Sequence, residues 1–291
     1  MSDDLDRSRI DIADRRTAVF GDFRAEARKI VHRPAVWTLL GVGLALSLTF
    51  TYLVPYAGYA GGTAGPTADR GLAALLPDQL VGNSVGGLPV FAGALMLILG
   101  VLVSGSEYAW GTWKTVLIQD PSRLRVYAAK LAVACVAALA GVLAMFAAGA
   151  IASVLIALAE DSPIAWPALT DLVTGIGAGW LIASMWTVLG ALLGIALRGV
   201  ALPVGLGLVW LLAVQNLLSL IAAPLLDWVA QLQKGLPGPN AGSLVAAVGA
   251  GTDTPGVAAL VGGGQAAVVV ATYLIVFAAL GGAVLRRRDI L

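Results

Sequence analysis

Six apolar stretches divide the chain, at about residues 35–56, 88–103, 126–159, 172–197, 200–226 and 264–285. Each approaches or exceeds the ~20 residues with which a helix covers ~30 Å of hydrocarbon. Lipid offers no partner for a free amide, so the backbone of such stretches must be helical. The pattern predicts an all-α membrane protein built as a six-transmembrane-helix bundle. Two connections, residues 57–87 and 227–263, are long and rich in Gly and Pro. They carry apolar segments at 72–76 and 244–248, which predict short interfacial or re-entrant helices rather than a folded outer domain. The connection at Arg198 and Gly199 is a tight turn, with Pro203 in the opening turn of the next helix, where its missing donor costs little.

The polar segments between these stretches are more specific. In residues 1–34, Ile12, Val19, Phe23, Ala27 and Ile30 recur at helical spacing on one face. This predicts an amphipathic helix lying at the membrane surface; the acids Asp14, Asp22 and Glu26 suggest a protein contact as well. Ser104 followed by Glu107 has the spacing of a capping box, so a new helix is expected to start there. Asp120 before Pro121 repeats the logic for the third span. Between them lies a short helix bearing Trp110, Trp113, Val116 and Leu117. Apolar and aromatic groups in an aqueous loop require a partner surface. Glu107 is expected to pair with Arg123 or Lys130.

Charge fixes the orientation. Of the 18 Lys and Arg residues, all but Arg70 and Lys234 fall on the side of the N-terminus if six spans are threaded in order. The positive-inside rule then places both termini, including the basic tail 286–291, in the cytoplasm of a multi-pass plasma (inner) membrane protein. Seven acids lie between Asp3 and Glu26, unlike the short basic start of a cleavable signal, so the first span is expected to be retained. Trp37, Tyr52, Tyr56, Trp166 and Trp228 lie near span ends, as an aromatic belt requires. Composition agrees, with 59% hydrophobic and 12% charged residues, about half the charge of a soluble domain. The single cysteine, Cys135, forms no intrachain disulfide.

The run Glu107-Tyr108-x-x-Gly111-Thr112 followed by Leu117, then Pro121-x-Arg123 and Ala129-Lys130, resembles the signature of the ABC-2 type permeases, membrane subunits of ABC exporters. Phe23-x-x-Glu26-x-x-Lys29, Leu236-Pro237 and the terminal Arg286 to Ile290 are similar to weaker features of that family. The resemblance implies an N-terminal connecting helix carrying Phe23, Glu26 and Lys29. It also implies a coupling helix carrying Glu107, Tyr108, Trp110, Gly111, Thr112, Trp113 and Leu117. Both would dock on a separate ATP-binding subunit, which would bind ATP and Mg; this chain would bind no cofactor. It further implies a second permease chain, identical or different, and an export direction. The chain contains no Gly-x-x-x-x-Gly-Lys-Ser/Thr phosphate loop, and nothing in it points to nucleic acid.

Other chemistries fare less well. A Ser-His hydrolase built on Ser104, Ser106 and His32 needs side chains within hydrogen-bond reach. One His, one Cys and scattered acids make no metal cluster, so neither a catalytic nor a metal site is expected. An ion-coupled secondary transporter is the stronger rival, but relays usually need charges deep in the bundle. Asp171 lies near a helix end, and the deep pair Gln215 and Asn216 is neutral. These two amides, with Thr187, are the substrate-path candidates; helix–helix glue is the competing role. Gly175, Gly179, Ala183, Thr187, Gly190 and Gly194 form a small-residue stripe, expected to pack within one bundle. Sparse charge in the spans favours a hydrophobic or amphipathic substrate.

Overall fold

The computed structural model describes residues 21–62, 71–109 and 123–287. Among them secondary structure is entirely helical. Residues 21–31 form α1, and the chain breaks at His32 and Arg33 before α2, Pro34–Ala60, which contains one π-helical stretch at Thr49–Leu53. Two 3-10 turns, Leu72–Leu75 and Pro77–Gln79, lead into α3, Leu80–Val85. Then come α4, Phe91–Ala109, α5, Arg123–Ala159, and α6, Leu169–Leu197. Residues 201–225 form α7, in which α-helical segments alternate with π-helical ones at Val209–Val214 and Leu218–Ala222. The short α8, Asp227–Gln233, and α9, Pro237–Ala247, precede α10, Gly263–Arg287.

Five helices among the described residues are long and apolar enough to cross a bilayer: α2, α4, α5, α6 and α10. The fifth predicted stretch, 200–226, is helical from Ala201 to Leu225 but differs in kind. Its wide π turns break the regular ladder, leaving Ala201–Leu217 as a shorter apolar unit. At 37 residues α5 is roughly 55 Å long, well beyond the ~30 Å of a hydrocarbon core, so one end projects past it.

The core is a seam between α4 and α6. Side chains added at Gly100 or Gly190 would run into the carbonyls of Thr187 and Leu97 respectively. The two backbones therefore touch, as small residues at this spacing permit. Gly175 meets Val81 and Phe146, and Gly179 meets Leu88 and Val142, so the small-residue stripe of α6 packs inside the bundle. Trp186, Ile182 and Met185 are fully buried beside it. The turn after α6 places Arg198, not Gly199, in the left-handed conformation at φ 52°, the geometry that ends many helices.

At the other face the long connections fold back into the protein. Leu236 is extended and Pro237 opens α9, a start for which the proline ring is preorganised. Nine residues of α9 are buried, and Gly82 of α3 abuts the Gly249 carbonyl just past it. By contrast α2 is loosely held: 6% of its most apolar window is buried, against 67% in α4. Trp37, Trp166 and Trp228, expected in an aromatic belt, are more than half exposed. Tyr52, expected with them, is instead turned inward. It is 3% exposed and packs with Leu75 and Ile156 beneath the folded-back connection.

Candidate functional site: a four-membered ion ring

The expected helix start at Ser104 does not occur, and α4 runs unbroken to Ala109. Ser104 lies inside the helix, and its hydroxyl donates to the Gly100 and Ala191 carbonyls at 3.2 and 2.9 Å. A buried hydroxyl takes the nearest carbonyl, and here the facing helix supplies one. Glu107, released from any capping role, turns toward α1 and α5.

There it meets three other charges. Lys130 of α5 donates to Glu107 at 2.5 Å and to Glu26 of α1 at 2.8 Å. Lys29 of α1 donates to Glu26 at 2.7 Å and to Glu107 at 3.2 Å. The charges alternate around a closed ring, Glu26, Lys29, Glu107, Lys130, with no net charge. Lys130 is 1% and Glu107 2% exposed. Desolvating ions this thoroughly is costly unless opposite charge lies beside them; the alternation gives each charge two opposite neighbours, both lysines meeting Glu107 at its Oε1. Burial pushes the Glu26 carboxyl up, but Lys130 and Lys29 outweigh it and hold the pKa below the ordinary carboxylate value. Burial likewise pushes Lys29 down, and hydrogen bonding to Glu26 with attraction to Glu107 raises it overall. Both groups therefore keep their charge at neutral pH.

Apolar contacts complete the attachment of α1. Phe23, Ala27 and Ile30 pack against Leu99, Val103, Val133 and Ala134 of α4 and α5. The apolar face of α1 expected in lipid thus lies largely on protein, and Ile12 and Val19 fall outside the described residues. Asp22 accepts from Arg125 at 3.0 Å. Arg33 donates to the Leu102 carbonyl at 2.8 Å and to Ser106 at 2.9 Å. His32 contacts the Arg28 carbonyl through Nδ1. Ser104, Ser106 and His32 are each engaged elsewhere, which removes the basis for the hydrolase.

Of the coupling candidates, the structure brings together Phe23, Glu26, Lys29 and Glu107, and places Tyr108 against Val126, Tyr127, Ile195 and Leu285. Trp110, Gly111, Thr112, Trp113 and Leu117 lie outside the described residues, as do Asp120 and Pro121. The ring's fourth member, Lys130, was legible only as a pairing partner of Glu107 and as a basic residue at a span end. The substrate-path candidates do not converge on it. Thr187 is fully buried in the α4–α6 seam, bonded to the Ala183 carbonyl. Gln215 is buried against Gly238 of α9, whereas Asn216 bonds the Leu212 carbonyl of its own helix.

The model of the ABC-2 family transporter proteins matches residues 23–214, from α1 through the first π turn of α7. The chain belongs to the ABC-2 transporter family. No curated protein matches it. An ABC-2 chain of this kind is a multi-pass membrane permease of an ABC-type transporter, a transport subunit rather than a catalytic one. Permeases of the ABC-2 family normally pair with an ATP-binding subunit. The matched region begins at Phe23 and so includes the entire ring.

Proposed function

We propose that the chain is the six-span permease subunit of an ATP-driven exporter, with residues 201–225 as the fifth span and both termini in the cytoplasm of the plasma membrane. ATP and Mg bind a separate ATPase subunit. A second permease chain, of the same or a different sequence, completes the transport path. The observation that carries this reading is the position of Glu107, buried in the ion ring within the last turn of α4, immediately before residues 110–117. A force applied by the ATPase to Trp110, Trp113 and Leu117 reaches the ring directly. The ring then moves α1, α4 and α5 together.

On this reading Phe23, Glu26 and Lys29 act through the ring and the core under α1, while Trp113 and Leu117 touch the partner. Gln215, Asn216 and Thr187 stand as substrate-path candidates, with Gln215 nearest the folded-back α9. The cargo is hydrophobic or amphipathic. The rival ion-coupled carrier needs an ionisable group near mid-membrane; the ring instead sits at the end of the bundle and is internally neutral. Replacing Trp113 and Leu117 with Asp tests the assignment. The variant inserts normally but loses co-purification of the ATPase and stimulation of its activity. Unchanged association, or transport by the purified chain alone on an ion gradient, overturns it.

A further inference from the structure

A cavity of about 260 Å³ runs between α2 and α5, with α4 as its floor. Its lining is almost wholly apolar, from Ile30 and Val31 of α1 past Leu40, Leu95 and Val136. The one indole there, Trp37, already donates its N–H to the Val31 carbonyl at 2.7 Å. From Val133 to Met145 on α5 the groove extends roughly 18 Å along the helix axis. Val31, Trp37 and Val136 on its rim are 55%, 57% and 51% exposed, so it opens sideways. Pockets for drug-sized compounds span ~300–1,000 Å³; this one is smaller and elongated, shaped for a single slender chain. A helix of a second copy, ~10 Å across, does not enter it.

Charge at the α1 end is asymmetric. The acids Asp22 and Glu26 turn inward to Arg125, Lys130 and Lys29. Arg24 and Arg28 are exposed, and neither makes an ion pair among the described residues. Arg24 precedes Ala27 by three residues and Val31 by seven, and Arg28 precedes Val31 by three. Helical spacing therefore sets both cations beside the groove's end.

We propose that this groove holds one acyl chain of an anionic phospholipid from the cytoplasmic leaflet, with its phosphate at Arg24 and Arg28. The inference rests on the cytoplasmic orientation of α1 given above. The acyl chain fills the gap between α2 and α5, and the two arginines share the single negative charge of the phosphate.

The test uses the full chain, without ATPase, in phosphatidylcholine vesicles doped with phosphatidylglycerol carrying a photoactivatable diazirine in its acyl chain. Adducts mapped by peptide mass spectrometry are expected at Leu40, Leu95 and Val136. Labelling falls roughly fivefold for each arginine removed in Arg24→Gln and Arg28→Gln, while a phosphatidylcholine probe is unaffected by those changes. Ala140→Trp, which fills the groove from an exposed position, lowers labelling by both probes. Adducts spread evenly around the bundle, or labelling indifferent to the arginines, overturn the proposal. Loss of ATPase co-purification in Arg24→Gln/Arg28→Gln with labelling unchanged also overturns it, by assigning the arginines to the ATPase. Because no ATPase is present during labelling, failure here leaves the Trp113 and Leu117 result untouched.

Discussion

Lys130→Met removes one charge from the ion ring while keeping an unbranched apolar stem in its place. Lys130 is 1% exposed and supplies two of the four contacts, at 2.8 Å to Glu26 and 2.5 Å to Glu107. Without it, Glu107, 2% exposed, keeps Lys29 at 3.2 Å, and the Lys29 side chain is itself 39% exposed. Removing one partner of a buried ion pair costs ~3–5 kcal/mol, because the remaining charge stays uncompensated. At 1.4 kcal/mol per factor of ten, attachment of α1 to α4 and α5 weakens by roughly a hundredfold to several thousandfold. Protonation of a carboxylate relieves part of that cost, so the lower end is the firmer expectation. Hydrogen–deuterium exchange in vesicles reads it directly: amides of residues 21–31 lose protection by about that factor. Amides of α6 between Gly175 and Gly194 do not change. Lys130→Arg retains part of the protection. If residues 21–31 in Lys130→Met exchange as in the wild type, the ring does not hold α1.

A two-residue charge swap, Glu107→Lys with Lys130→Glu, preserves their mutual contact but sets Glu26 against a carboxylate and Lys29 against an ammonium. It fails to restore transport, whereas inverting all four members does so at least in part; full rescue by the pair alone, in a vesicle transport assay, would exclude the ring. In the α4–α6 seam, Gly190→Leu forces a side chain into the Leu97 carbonyl. Overpacking costs ~1–3 kcal/mol and more where backbone must move, read as a lowered midpoint of thermal aggregation in detergent; an unchanged midpoint would mean that the helices are not in backbone contact.

Much of the helix layout was legible because span length leaves few alternatives once lipid is the solvent. The boundaries of α5, α6 and α10 fall within three residues of the apolar limits. The small-residue stripe of α6 also read correctly, since glycine spacing encodes close approach. Ser104 misled because the capping-box pattern is local, whereas its fate was decided by Ala191, 87 residues away, which offered a carbonyl. The π turns of α7 have no apolar signature, so periodicity saw one smooth span. Lys130 in the ring was only half legible: its pairing with Glu107 was one of two options, and its bond to Glu26 depends on tertiary approach. The spacing of Asp22 and Glu26, four apart in an otherwise basic segment, was the available hint that two cations elsewhere await them.

The three segments joined by the ring lie far apart in the chain, and Lys130 is the last member to leave the ribosome. Until it emerges, Lys29 is the ring's single cation, shared between Glu26 and Glu107. Lys130 supplies the second cation and bridges both acids. A chain stalled before it has α1 and α4 tied within the ring through Lys29, and the ring closes only with the arrival of α5.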